Sequence, residues 1–446
     1  MAVYLLAVLH RTSLGVAGAL AEHRFGITPA QLSVFIFLQL GIYAAMQVPA
    51  GVLVDRYGPR RLLVTASVLM GVAQLAFATV PSYPAALAAR ALLGCGDALT
   101  FISVLRLVAT HFSPRRFPLL VTITSMVGTI GNVLATLPLA LVLRSAGWSA
   151  AFAPVAALSL VVGAAAWLLI PDTTAPPRPL RTVRALRLGV TGVAHRVRVS
   201  WAQPGTRLGF WVHFSTMSAG TAYGVLWGGT YLVKGAGFST AAAGGVLMTG
   251  VVAAAAASPL FGAAIGRRPI LRVPIALAAC AGSLSGWLVL ICGFGDRPPK
   301  PLVVVVFVVM TLGAPVSTAA FALARDYNGA RTLGTASGVV NVGGFLATIV
   351  IAVGIGWVLD LMGTTDRHTL RMAALVAVGV QAFGAVRMAI WLRRQRAHSL
   401  LRQARGEATP VTVVRRRWDL RIPVPVLDEI GLAAAQDTQQ GPPTQG

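Results

Sequence analysis

Apolar stretches of about 20 residues recur along the whole chain, each long enough to cross a hydrocarbon core of roughly 30 Å as a helix. They fall at 1–21, 31–54, 61–81, 84–111, 118–143, 149–170, 208–232, 241–265, 271–294, 301–323, 334–358 and 370–392, separated by short clusters of Arg, Pro, Gly or Asp. Runs such as PLVVVVFVVMTLGAPV do not alternate apolar with polar positions, which argues against a membrane β-barrel. The pattern predicts an all-α integral membrane protein with twelve transmembrane helices.

Composition agrees, since 56% of the residues are hydrophobic and only 11% charged, where a soluble domain carries roughly 25% charge. A net charge of +24 could indicate a nucleic-acid binder, but the positions of the charges give a different reading. One set of connections holds Arg56, Arg60, Arg61, Arg115, Arg116, the arginines of 171–207, Arg267, Arg268, Arg272, Arg325, Arg331 and the Arg-rich tail after Arg393. The alternate set holds little beyond Arg24, Arg144, Lys234, Arg297, Lys300 and Arg367. By the positive-inside rule the first set is cytoplasmic, with both termini. Basicity is thus a topology signal, and the expected partner is the lipid bilayer with no nucleic acid. Arg outnumbers Lys, and Ala, Gly and Val abound, which suggests a GC-rich bacterial genome and hence the plasma membrane.

MAVYLLAVLHRTSLGVAGAL has no basic residue ahead of its apolar run and carries His10 and Arg11 within it, so it reads as the first span rather than as a signal peptide. The organisation expected is a six-helix half over 1–170, a cytoplasmic central loop over 171–207, a second half over 208–392, and a basic, disordered tail over 393–446. In the central loop Leu180, Val183, Leu186 and Val190 recur opposite Arg181, Arg184 and Arg187, which predicts an amphipathic helix on the membrane surface. Cys95, Cys280 and Cys292 all lie within predicted spans and read as packing residues, not as a disulfide or a metal set.

The halves repeat. FGITPAQ precedes the second span and AGFSTAA the eighth, and the offset from Gly26 to Gly237 equals that from Gly51 of GVLVDRYGPRR to Gly262 of GAAIGRRP. Gly266 stands in the second copy where Asp55 stands in the first.

GVLVDRYGPRRLL closely resembles the turn between the second and third spans of the major facilitator superfamily, roughly GxLxDRxGRRxxL, departing mainly at Pro59. Twelve spans, a long central loop and a degenerate second copy fit that family along the whole chain. Gly51 and Gly58 allow close approach and reversal of the backbone, and Asp55 can pair with an Arg or accept from a helix N-terminus. The resemblance implies a monomeric secondary transporter in which Gly51, Asp55, Arg56, Gly58, Arg60 and Arg61 latch the outward-facing state while two halves alternate around a central site. The alternative reading of Arg56, Arg60 and Arg61 is as topological anchors alone.

Charges inside spans cost at least about 2.5 to 3.5 kcal/mol on insertion scales and therefore mark function. Arg11 lies in the first span, while Arg90 and Asp97 of RALLGCGDA lie on one face of the fourth, with Gly94 between them. The competing reading is a buried ion pair that holds helices together. LHRTSLGVA with RALLGCGDA is also similar to the DRxxLSVA and RxLLGxxEA patterns of the organic anion:cation symporters within the superfamily. That resemblance implies that Arg11 and Arg90 contact an anionic small-molecule substrate and that Asp97 carries protons. His10 replaces the subgroup's first-span acid and could titrate in its place.

Drug or metabolite efflux by proton antiport is the alternative, but the fifth span reads GTIGNVLATLP, with Asn132 where the efflux pattern has Pro. Asn132 and Asn341, the latter in GVVNVGGFLA, are candidate pathway residues, or interhelical hydrogen-bonding groups. His213, Tyr223 and Trp227 of the seventh span are candidate cavity residues, or core and interface aromatics. An enzyme or a receptor is a remote third class: no HExxH, GxSxG or P-loop pattern occurs, and neither metal nor cofactor is expected.

Overall fold

Helix is the only regular structure among the described residues, which in the computed structural model are 1–171, 190–294, 298–411 and 413–414. The first helices are α1 (Ala2–Phe25), α2 (Pro29–Tyr57), α3 (Pro59–Thr79), α4 (Tyr83–His111) and α5 (Phe117–Leu169). They are followed by α6 (Val190–Ala202), α7 (Pro204–Ala222), α8 (Thr240–Arg267), α9 (Arg272–Leu288), α10 (Lys300–Thr311), α11 (Gly313–Tyr327), α12 (Leu333–Met362) and α13 (Arg367–Ala404). Among the described residues nine helices are long and apolar enough to cross a membrane, with Ala2–Leu14 a shorter apolar helix.

Helix boundaries follow from local chemistry. α1 stops at Gly26 in the left-handed conformation, φ 60°, which costs a residue without Cβ nothing. Two residues on, Thr28 Oγ1 accepts from Gln31 N at 3.3 Å while Gln31 Oε1 accepts from Thr28 N at 2.9 Å, a reciprocal cap that starts α2. The same device recurs in the second sequence copy. Gly237 has φ 71°, and two residues later Ser239 caps α8 by accepting from Ala242 N at 3.2 Å. Gly58, φ 81°, reverses the chain between α2 and α3. Within α5 the backbone is non-helical at Gly147, φ 83°, where Trp148 Nε1 and Ser149 Oγ donate to Phe77 O and Ala78 O at 3.0 and 2.8 Å. The fifth and sixth apolar stretches therefore meet at a break fastened to the end of α3.

Two compact units make up the chain. Unit 1 comprises the described residues of Met1–Ser113 and Leu120–Val193 with Arg331–Gly338. At one end its core is aromatic, with Phe25, Phe35, Phe77, Trp148 and Phe152 in edge and tilted contacts. Unit 2 comprises Pro114–Leu119 with the described residues of Ala194–Ala330 and Val339–Gly446. Its core gathers Tyr223, Tyr231, Trp287 and Phe307, on a stretch where α7 continues into π-helical turns at Tyr223–Trp227 and Tyr231–Gly235. Each unit thus takes in a short segment from the other end of the sequence.

Two expectations change at the connections. Helical structure reaches Ala404, so residues 393–404, expected in a disordered tail, are folded. They have packing to hold them: Gln395 hydrogen-bonds Tyr327 and Ser399, and both Gln395 and Ser399 are buried. The central segment carries α6 at Val190–Ala202. The amphipathic pattern of Leu180, Val183 and Leu186 against Arg181, Arg184 and Arg187 lies outside the described residues, as does the tail from 415 onward.

Candidate functional site

Unit 1 buries or half-buries the three charges expected within its spans, Arg11, Arg90 and Asp97. Arg11 of α1 donates twice to Asp97 of α4, Nε to Oδ2 and Nη2 to Oδ1, each at 2.8 Å. The fork geometry is the strongest a carboxylate offers. Asp97 is fully buried, whereas the Arg11 side chain keeps 19% of its surface exposed. The ring of Tyr43 in α2 supports the other side of this guanidinium, 4.3 Å away.

Arg90, two turns before Asp97, has a separate environment. It is fully buried and packs over the Phe77 ring at 4.0 Å. Nη1 donates to His10 O at 3.1 Å and lies 3.5 Å from Gln39 Oε1, while Nη2 lies 3.4 Å from Ser13 Oγ. These partners are neutral and the last two contacts are long. No carboxylate pairs with Arg90 among the described residues, and its Nε has no acceptor. A buried guanidinium without a counter-charge costs several kcal/mol.

The remaining polar groups of this cluster are also incompletely bonded. Ser159 Oγ donates to Val155 O, so it accepts from His10 Nε2, 2.7 Å away. Among the described residues Gln39 Nε2 then has no acceptor, and His10 Nδ1, the lone-pair nitrogen of that tautomer, has no donor. Gln74, whose amide lies beside His10, is likewise buried without a well-formed hydrogen bond. A cation with no anion among the described residues, beside the unpaired amide nitrogens of Gln39 and Gln74, is an arrangement suited to an oxyanion.

The end of α2 forms a second constellation in unit 1. Asp55 Oδ1 accepts from Gly334 N at 2.7 Å, and Oδ2 accepts from Thr335 N at 2.7 Å and Thr335 Oγ1 at 2.8 Å. Gly334 and Thr335 open α12, so a side chain far away in sequence caps that helix where its N–H groups are unsatisfied and its dipole is positive. Burial pushes the Asp55 carboxyl above its ordinary range, and the donors from Thr335 and Gly334 pull it back. A Cβ on Gly51 would collide with the Gly334 backbone, and one on Gly338 with Gln47 O. Glycine is what brings α2 and α12 close enough for the cap. Arg60 donates to Trp167 O at 3.1 and 2.5 Å and stacks on that indole at 4.4 Å, which fastens it to the last turn of α5. Arg56 lies 5.1 Å over Tyr57, and Arg61 is exposed.

Unit 2 repeats the geometry without the acid. A Cβ on Gly266 would strike Arg115 O, so the second copy of the turn also seats against the start of another helix, here α5. An ion pair close by, Arg272 with Asp326, supplies the charge contact, and Arg272 Nε donates to Ile265 O at 3.1 Å.

The other candidates are scattered. His213 Nε2 lies 3.1 Å from Asn341 Oδ1, both residues buried in unit 2. Tyr223 packs into the aromatic core, 4.7 Å from Trp287, and Trp227 Nε1 donates to Ala352 O at 2.9 Å. Asn132 is exposed. Sequence reasoning missed Gln39, Tyr43, Gln74, Gly334 and Thr335. The glutamines carried a signal, as amides within apolar stretches, and the last two did so only as a Gly-Thr pair opening a span.

Comparison with known proteins gives three results. The Major Facilitator Superfamily profile matches residues 1–352. A protein of Cupriavidus necator named "Probable sulfoacetate transporter SauU" is 27% identical over 402 residues, covering 85% of this chain and 90% of its own. Among solved structures, the proton:xylose symporter XylE bound to 6-bromo-6-deoxy-D-glucose superposes with a TM-score of 0.62. It shares 15% identity, over 86% of this chain and 93% of that one, so that likeness shows the fold.

Proposed function

The chain belongs to the major facilitator superfamily, a family of transporters and not of enzymes, and from that premise we propose that it takes up a small organic anion by proton-coupled alternating access. The observation that carries this reading is the contrast between the two arginines of unit 1. Arg11 is neutralised by Asp97, while Arg90 is buried with no acid beside it among the described residues.

The contrast supplies a coupling mechanism. While Asp97 is ionised, its two hydrogen bonds occupy the Arg11 guanidinium. A proton on Asp97 removes the charge that holds Arg11, and Arg11 joins Arg90 in binding the anion. Proton and anion then favour each other's binding, which is the reciprocity that coupled transport requires. His10 orients Arg90 through its backbone carbonyl. The relative named for sulfoacetate favours a substrate bearing a sulfonate or a carboxylate, whose oxygens suit the under-bonded donors around Arg90.

The same reading assigns twelve spans in two six-helix halves, both termini to the cytoplasmic side of the plasma membrane, and a monomer. The Asp55 cap on α12 is then the latch that forms in one conformation of the cycle and breaks in the other. The direct test uses purified protein in proteoliposomes with radiolabelled sulfoacetate and simple carboxylates. An imposed inward proton gradient should drive accumulation, an uncoupler should abolish it, and exchange should persist without any gradient. Accumulation of cationic drugs instead, or indifference to the gradient, overturns the proposal.

A further inference from the structure

Outside the polar cluster, arginines and tryptophans of unit 2 stand together along one edge. Arg207, in the first turn of α7, stacks over Trp391 of α13 at 4.7 Å and over Trp201 at 5.5 Å, and its Nε donates to Trp201 O at 2.5 Å. Arg394 lies 4.8 Å over the same Trp391 ring. One turn before Trp391, Arg387 lies 5.1 Å over Trp211. Arg387, Trp391 and Arg394 follow the spacing of a single helix face.

Two guanidiniums are thus held against one indole. Each gains about 0.5 to 2 kcal/mol from the ring, but they repel each other. None of Arg207, Arg387 and Arg394 is ion-paired among the described residues. Arg387 Nε, Trp211 Nε1 and Trp391 Nε1 are buried donors with no acceptor among the described residues. Such a cluster is suited to an anion with several acceptor oxygens.

Its position identifies the source. Arg394 is exposed and lies just beyond the apolar stretch that ends at 392, and indoles are the side chains that favour the membrane interface. Next to Arg387 on the apolar side, Phe383 and Val386 stand 54% and 59% exposed. Cations at the headgroup level above an exposed apolar surface match an amphiphile rather than a free ion. We propose that Arg207, Arg387 and Arg394, with Trp211 and Trp391, bind the phosphate of an anionic phospholipid whose acyl chain lies along Phe383 and Val386.

The test is a thermal melt of the full chain in neutral detergent, with added phosphatidylglycerol, phosphatidylcholine or inorganic phosphate at equal phosphate concentration. Phosphatidylglycerol alone should raise Tm, because a ligand of the folded state stabilises it. The double variant Arg207→Gln/Arg394→Gln should bind that lipid about 30-fold more weakly, at about 1 kcal/mol per interfacial arginine. Arg267→Gln/Arg268→Gln makes the same change in charge at exposed positions away from these indoles and should keep the response. Equal stabilisation by phosphatidylcholine or by inorganic phosphate overturns the assignment, as does a full response in the first variant. Should that variant fail to fold, native mass spectrometry of the unaltered protein decides. Phosphatidylglycerol adducts should survive activation that strips phosphatidylcholine, and their equal loss overturns the proposal.

Discussion

Asp55 accepts hydrogen bonds from both the backbone N–H and the hydroxyl of Thr335, at 2.7 and 2.8 Å, across most of the length of the sequence. A third, from Gly334 N, completes a cap on the first turn of α12. Hydrogen bonds to a charged group contribute about 1.5 to 3 kcal/mol, and a helix N-terminus adds about 0.3 to 1 kcal/mol. Nothing in the aromatic core of unit 1 depends on them. Asp55→Asn should therefore leave the amount of protein in the membrane close to normal while cutting the initial transport rate at least about tenfold, since 1.4 kcal/mol of conformational bias is a factor of ten. Immunoblotting of membranes beside the uptake rate separates the two quantities. Loss of protein with normal activity in the remainder would make Asp55 a purely structural residue.

Thr335→Val grades the same contact. It removes only the hydroxyl donor and keeps both backbone donors, so the change should be about 1 kcal/mol and the slowing roughly fivefold. Gly51→Ala acts by contact rather than charge. Its methyl would meet the Gly334 backbone, and overpacking of this kind costs about 1 to 3 kcal/mol. It should slow transport as much as Thr335→Val or more, and Gly41→Ala, where a Cβ meets nothing, should not. Equal rates for the two alanine variants would contradict the close approach of α2 and α12.

Much of this architecture could be read from residues, and the exceptions have physical reasons. The Gly26 and Gly237 turns announce themselves because left-handed backbone and a hydroxyl cap need particular side chains. The break at Gly147 is visible in RSAGWS for the same reason. The seventh stretch was legible only as apolar: its π-helical turns at Tyr223–Trp227 and Tyr231–Gly235 leave hydropathy unchanged. The tenth stretch divides into α10 and α11 around Leu312, shortly before Pro315, which cannot donate to the helix ladder.

At the site, Arg11, Arg90 and Asp97 could each be singled out because charge in an apolar stretch is conspicuous. Their partners could not. Helical spacing places Arg90 and Asp97 on one face of α4, but whether Asp97 faces Arg90 or an arginine of α1 depends on how α1 packs, which no local pattern encodes. The ion pair with Arg11 is a tertiary fact, as is the support from Tyr43.

Arg90→Gln tests the anion contact separately from the proton. Among the described residues Arg90 makes no ion pair, so its replacement removes a positive charge without stranding a carboxylate, and the buried cation it eliminates was itself costly. Melting temperature should hold or rise slightly. Anion binding, followed by the ligand's stabilisation of the protein, should weaken by at least about tenfold, the worth of one charged hydrogen bond. A lower melting temperature with unchanged affinity would assign Arg90 to packing against Phe77.

Asp97 and Arg11 form the remaining test, and the informative experiment is a double-mutant cycle. Removing one member of a buried pair typically costs about 3 to 5 kcal/mol because the other charge is left uncompensated, whereas replacing both is far milder. Arg11→Gln should therefore destabilise strongly, with a buried carboxylate left alone, and Arg11→Gln/Asp97→Asn should recover much of the loss. Asp97→Asn should be better tolerated than Arg11→Gln, because the Arg11 side chain keeps 19% of its surface exposed and the Tyr43 ring beneath it. Function should divide differently from stability. Asp97→Asn mimics the protonated carboxyl, so Arg11 stays free for the anion. Binding and counterflow exchange should persist, while accumulation against a gradient and its dependence on pH should both disappear. If Asp97→Asn still accumulates substrate in a pH-dependent way, the proton travels on another group and the Arg11–Asp97 pair only holds α1 against α4.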